Sequence, residues 1–252
     1  MLNPRSLPVF LAALTLMGCA ELPPPSGQSV VESAIAWQNG TVLNKAEMTF
    51  NFRERHFRVY RNDGLFEYER IYVDTLGNNV REVLSNDGLI REVEGQVVEL
   101  TQDQYESAET GVNSVVYFAL LPLPLTDPAA RKELIGTAEL NGRTYNKVEV
   151  TFVPEGGGRD YDDRFIYWFD AETGALDYLA YWFHVNDGGA RFREAYNVRE
   201  IEGVRIADYY NYKAEGVTID TVERFDSLHA AGATELVSEV NLENVSIRRL
   251  VD

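Results

Sequence analysis

The string Gly156-Gly-Gly-Arg159-Asp160-Tyr-Asp162-Asp163 sets three carboxylates within four residues, behind a glycine run. Oxygen donors that close together could hold Ca²⁺. Their spacing is not that of an EF-hand loop, and a solvated hairpin loop whose glycines take positive φ accounts for the same residues, so no metal is expected. Downstream, Arg191 and Arg193 alternate along one strand and share a face. Asp163 could pair with either arginine in a cross-strand ion ladder, or the two guanidinium groups could grip an anionic headgroup. With His184, these residues make up the candidate polar cluster Asp160, Asp163, His184, Arg191 and Arg193. Were His184, Asp163 and Arg193 to converge in one cleft, they could act on an envelope lipid or glycan.

Other chemistry has less support. His56, His184 and His229 lie in separate segments, without metal-ligand spacing. No Gly-x-Ser-x-Gly elbow presents a nucleophilic serine. The only cysteine, Cys19, permits no internal disulfide. The expectation is a protein that is not an enzyme and needs no cofactor.

Cys19 has a different role. It follows one positive charge (Arg5), an apolar run from Leu7 to Met17, and Gly18, the plan of a secretory signal. The run is shorter than the ~20 residues that span a bilayer. Leu16-Met17-Gly18-Cys19 resembles the lipobox of bacterial lipoproteins. That resemblance implies cleavage before Cys19, acylation of its thiol, and a lipid-anchored place in the cell envelope, at the outer membrane. Residues 19–28, with Pro23-Pro24-Pro25, then read as a stiff tether, and residues 29–252 as one domain.

The aromatics are the other candidates for binding: 14 Tyr, 12 Phe and 3 Trp. Trp168, Tyr178, Tyr181, Trp182 and Tyr196 fall on runs expected to be adjacent strands. Wide strands need such side chains for packing alone, and concave aromatic surfaces also bind lipids or sugars.

The elements that must position these residues are mostly strands. Turn signals stand at Asn62-Asp63-Gly64, Asn86-Asp87-Gly88, Asn141-Gly142, Glu172-Thr173-Gly174 and Asn186-Asp187-Gly188-Gly189, each between apolar or alternating runs. Residues 147–153 alternate strictly, whereas 164–169 and 176–183 are apolar on both faces. About ten strands follow, joined as an antiparallel meander. A helix is expected over 29–37, capped by Ser29, with Val30, Ala34 and Trp37 on one face. A second helical patch covers 102–109 and 112–121, and a further one 128–134, opened by Pro128. A sheet of that size curls and encloses more room than its side chains fill. The predicted fold is mainly β (α+β): a strongly curved antiparallel sheet or half-open β-barrel with helices in its concave side. Tyr117, Phe118, Leu121, Trp168 and Trp182 are the expected cavity wall.

A net charge of −17 with no basic stripe argues against nucleic acid as a partner. The expected partners are a membrane, through the anchor, and a lipid or lipoprotein.

Phe50-Asn-Phe-Arg-Glu-Arg-His-Phe57, Tyr68-Glu-Arg70, Leu84-Ser-Asn-Asp-Gly88, Asn113-Ser-Val-Val-Tyr-Phe-Ala-Leu-Leu-Pro122 and Glu155-Gly-Gly-Gly-Arg-Asp-Tyr-Asp-Asp163 resemble a family of uncharacterised bacterial outer-membrane lipoproteins. Asp177-Tyr-Leu-Ala-Tyr181, Arg191-Phe-Arg-Glu-Ala-Tyr-Asn197 and Asp208-Tyr-Tyr-Asn-Tyr212 extend the likeness, which implies no chemistry. More distantly, the layout is similar to the periplasmic lipoprotein carriers of the LolA and LolB type. A first helix precedes long strands, a helical insert interrupts the sheet, and Gly136-Thr-Ala-Glu-Leu-Asn-Gly-Arg143 and Tyr167-Trp-Phe-Asp-Ala-Glu-Thr-Gly174 look like the second half of that fold. That resemblance implies an apolar cavity for acyl chains under the helices. An envelope interaction module without a ligand is the alternative.

Overall fold

Tight turns set the architecture. In the computed structural model, which describes residues 24–153, 163–184 and 188–251, Asp63 (φ 47°) and Gly64 (φ 99°) close one hairpin, and Asn141 (φ 51°) and Gly142 (φ 75°) another. Both pairs hold the left-handed conformations that two-residue hairpins require. Arg53 (φ 49°) and Glu54 (φ 60°) do the same without a glycine, a turn that carries no compositional signal.

The described residues form fourteen strands, more than the ten or so expected. They are β1 (Lys45–Phe52), β2 (Arg55–Asn62), β3 (Leu65–Val73), β4 (Asn79–Ser85), β5 (Gly88–Val93), β6 (Gln96–Val98), β7 (Ala130–Leu140), β8 (Arg143–Phe152), β9 (Arg164–Asp170), β10 (Leu176–Phe183), β11 (Gly189–Ile201), β12 (Val204–Lys213), β13 (Glu235–Val240) and β14 (Glu243–Arg249). Two seven-stranded antiparallel sheets result, ordered β14-β1-β2-β3-β4-β5-β6 and β13-β12-β11-β10-β9-β8-β7. They do not close into a barrel. The last strand returns to the first sheet, where Met48 of β1 faces Ile247 of β14.

Among the described residues, three α-helices complete the fold: α1 (Gly27–Trp37), α2 (Gln102–Ala119) and α3 (Phe225–Ala230). The capping box of α1 lies three residues earlier than expected, with Ser26 as cap and Ser29 reciprocating. The chain is therefore already helical at 27 and 28. Val30, Val31, Ala34 and Ile35 are its buried face, and Trp37 is exposed. Helix α2 joins the two patches of the sequence into one element, capped by Thr101 and Gln104. Residues 130–134, expected to be helical, belong to β7. Its burial alternates through Ala130, Lys132 and Leu134, and a period of two excludes a helical face. Among the described residues, no helix is long and apolar enough to cross a membrane.

One core joins both sheets and both longer helices. It contains Phe50, Phe57 and Val59 of the first sheet, Val148, Tyr167 and Leu179 of the second, Val31 and Ile35 of α1, and Val112 and Val116 of α2. A second core lies on the outer face of the second sheet. There Trp168, Tyr178 and Phe192 are covered by Val222 and Phe225 of the 219–230 segment.

The outer face of the first sheet is charged instead. Glu47 takes Arg248 (2.9 Å) and Arg58 (2.7 Å), Glu69 takes Arg58 (2.5 Å) and Arg81 (2.8 Å), and Arg81 reaches Glu92 (3.2 Å). Burial pushes the Glu69 carboxyl up, but the Arg81 and Arg58 hydrogen bonds and charges pull it further down, below its ordinary value of 4.5. A carboxyl lowered on folding stabilises the folded chain above that ordinary value, and the contribution disappears as pH falls through the folded value. The melting temperature should thus fall from pH 5 to pH 3, and Glu69→Gln should flatten that fall while lowering stability at pH 7. A slope unchanged by the variant would show that Glu69 is not among the groups responsible.

Candidate functional site

Helix α2 lies across the concave side because its two faces meet different partners. Ala108 and Val112 are buried in the core, while Val115, Tyr117 and Phe118 border open space and the buried Val116 reaches its edge. That space is a cavity of about 1440 Å³ between α2 and the two sheets. It exceeds the roughly 300–1,000 Å³ of ordinary small-molecule pockets. Phe52, Phe66, Tyr68 and Leu84 line it from the first sheet, and Phe152, Phe165, Tyr181, Phe183 and Tyr209 from the second.

The aromatic wall is continuous. Tyr117 packs edge-on against Phe118 (5.5 Å between centroids) and Phe152 (6.5 Å), and Phe165 stacks with Tyr181 (5.9 Å). The Tyr117 and Tyr167 hydroxyls share a 2.8 Å hydrogen bond that ties α2 to β9. Burial pushes both phenols up, so both stay neutral across physiological pH.

Of the five residues expected to form the wall, Tyr117 and Phe118 line the cavity. Leu121 packs against the main core just beyond α2 and is not in the lining. Trp168 and Trp182 face the opposite side of the second sheet. Trp168 is fully buried in the outer core and donates its indole N–H to Asp226 Oδ2 (3.2 Å), and Trp182 packs against the same cluster. The reason is the period of two. On β9, Phe165, Tyr167 and Phe169 point inward and Ile166 and Trp168 outward. Both faces of that strand are apolar, so residue size could not tell which was which.

The polar cluster is divided. Asp160 lies outside the described residues, as do Cys19, residues 1–23, the glycine run at 156–158 and Asp187. Asp163 Oδ1 meets His184 Nδ1 at 3.1 Å rather than Arg191 or Arg193. The sheet order explains this: β10 lies between β9 and β11, and Arg164 pairs with Trp182 in register, so Asp163 falls beside the end of β10. Arg191 stacks on Phe183 (5.4 Å) and donates to the Ala190 carbonyl. Arg193, 9% exposed, is held between Phe118 of α2 (4.0 Å to the ring centroid) and Tyr181 (5.3 Å), whose hydroxyl accepts from its Nη2 at 3.1 Å. Asp163, Arg191 and Arg193 all line the cavity. His56 and His229 stand apart, on Asn51 and Thr234 respectively. Among the described residues no group of side chains could hold a metal.

Sequence reasoning missed Arg61, Tyr209 and Asn211 as cavity residues. The cross-strand pairing of Arg193 with Asn211 would have been the signal, had the β11–β12 register been legible.

A solved structure with this fold is the LolA superfamily protein NE2245 from Nitrosomonas europaea, 10% identical, with a TM-score of 0.52 over 90% of this chain and 96% of that one. A DUF1329 family protein from Desulfovibrio piger is also 10% identical, with a TM-score of 0.46 over 87% and 92%. Among curated proteins, the alanine–tRNA ligase of Methanopyrus kandleri is 30% identical over 190 residues, 65% of this chain. The chain spans only 21% of that ligase's length, and no activity passes from it. The first of these likenesses gives the chain an open, LolA-like antiparallel fold. Residues 30–242 match DUF6503, a family of unknown function, and the chain belongs to that family.

Proposed function

We propose that this protein is a membrane-anchored lipoprotein that holds an apolar ligand, a lipid or the acyl part of a lipoprotein, in the cavity under α2, without catalysing a reaction. The observation that carries this reading is the cavity itself: about 1440 Å³ walled by aromatic side chains from α2 and both sheets. A chain optimised only for stability packs such a space to crystal-like density. The LolA-like fold supports the reading, because the sequence resemblance to carriers of that type implies an acyl site in the same place. The lipobox resemblance at Cys19 supports the anchor and an envelope location.

The test is native mass spectrometry of the full chain released from bacterial envelopes in mild detergent. A discrete added mass that organic solvent removes, and that fragments as a lipid, is the expected result. A clean protein mass, together with one stoichiometric protein partner, would replace the carrier with an envelope interaction module.

A further inference from the structure

Three buried side-chain atoms among the described residues have no hydrogen-bond partner: Arg61 Nε, Arg193 Nε and Asn211 Oδ1. All three residues line the cavity. Native interiors leave few such atoms, and each calls for an explanation. Their concentration on one surface points to a ligand group that completes them.

Arg193 and Asn211 are directly opposite each other on β11 and β12, so their side chains stand on the same face as near neighbours. Arg193 is buried and makes no ion pair among the described residues, its contacts being the Tyr181 hydroxyl and the Phe118 and Tyr181 rings. Ring faces offset part of a cation's desolvation, but a buried guanidinium is ordinarily matched by an anion. Asn211 is 8% exposed and spends its amide N–H on Ser238 Oγ (3.1 Å), which leaves its carbonyl oxygen to accept. The pair therefore offers a charged donor beside a neutral acceptor, in a cavity that also presents the rings of Tyr117, Phe118 and Phe165.

We propose that Arg193 and Asn211 form a headgroup site for an anionic lipid. Arg193 binds a carboxylate or phosphate oxygen, Asn211 accepts from a neighbouring hydroxyl or N–H of the head, and the acyl chain runs along Tyr117, Phe118 and Phe165. This assignment rests on the cavity being a lipid site and adds the class of lipid. Arg61 on β2, which donates to the Tyr68 hydroxyl at 2.5 Å and keeps its Nε unpaired, lines the same cavity, as do Arg53 and Arg191.

The experiment is competition against a neutral fluorescent probe, N-phenyl-1-naphthylamine, on the full chain, with lipids below their micelle concentrations. Oleate is compared with methyl oleate, and oleoyl-glycerol phosphate with mono-oleoylglycerol. The wild-type protein should prefer each charged lipid over its neutral counterpart, and the better of the two anions identifies the source of the charge. Arg193→Gln should erase the preference, weakening the anions about 10- to 100-fold, the range of a charge-assisted hydrogen bond, and leaving the neutral lipids unchanged. The wild-type comparison needs no variant, and circular dichroism of Arg193→Gln checks its fold. Equal binding of charged and neutral lipids, or a preference that survives Arg193→Gln, would overturn the headgroup site and leave the cavity reading standing. Failure of all four lipids to displace the probe would overturn both.

Discussion

Glu82→Ala should unfold this protein more readily than any other single carboxylate replacement in the first sheet. Glu82 is fully buried on the concave face of β4 and meets three donors. Its Oε1 accepts from Arg91 Nη2 (2.6 Å) and the Tyr72 hydroxyl (3.2 Å), and its Oε2 from Arg70 Nε (2.6 Å). The Arg70 and Arg91 side chains are only 11% and 20% exposed. Arg70 also sits directly beneath Gly111 of α2, where a Cβ would fall 2.2 Å from its guanidinium. Removing the carboxylate leaves two cations facing each other under the helix. Breaking a buried ion pair this way costs about 3–5 kcal/mol, a drop of roughly 10 °C in melting temperature for a chain of this size. Replacing Glu82, Arg70 and Arg91 together with methionine should recover most of the loss, because the desolvation penalty goes with the charges. A Glu82→Ala protein that melts with the wild type would show that the cluster is solvated rather than buried.

The second large effect concerns binding. Ala207 on β12 is 8% exposed and lines the cavity. Ala207→Trp sends an indole into the space an acyl chain would take. In a filled core such an insertion costs about 1–3 kcal/mol; here the ring has room, so the melting temperature should hold. Affinity for the neutral fluorescent probe should fall at least about tenfold, which is about 1.4 kcal/mol. Unchanged probe binding at unchanged stability would place the probe elsewhere on the protein.

Much of the fold is legible in the sequence because hairpins write themselves into it. Asn62-Asp63-Gly64 and Asn141-Gly142 supply left-handed conformations cheaply, and the strands on either side follow. The open antiparallel sheet with helices inside it comes from strand number and twist. The misreadings have physical causes. Residues 128–134 open with a proline suited to a helix start, but the alternation of Lys132 and Leu134 with exposed neighbours, and the pairing with β8, settle 130–134 as strand. The Arg53-Glu54 turn has no glycine to announce it.

The candidate site was legible in its location and less so in its residues. Tyr117 and Phe118 follow from a helix placed over the concave face. Trp168 and Trp182 stand on strands apolar on both faces, where only the partner of each face reveals which is inside. That partner, the 219–230 segment carrying Val222 and Phe225, has no strong helical pattern, so the outer core could not be foreseen. Arg193 was visible as a charge on a strand, but its burial against Phe118, and its pairing with Asn211, depend on contacts far apart in sequence.

The central claim is that an acyl chain lies in the cavity beneath α2. Photoaffinity labelling with a fatty acid bearing a mid-chain diazirine, followed by peptide mapping, tests it most directly. The account predicts label on the 115–119 segment of α2 and on β9 and β10 around Phe165 and Tyr181, suppressed by excess unlabelled oleate and absent in Ala207→Trp. Label confined to exposed apolar residues such as Leu76 or Val97, or indifferent to competitor, would contradict it.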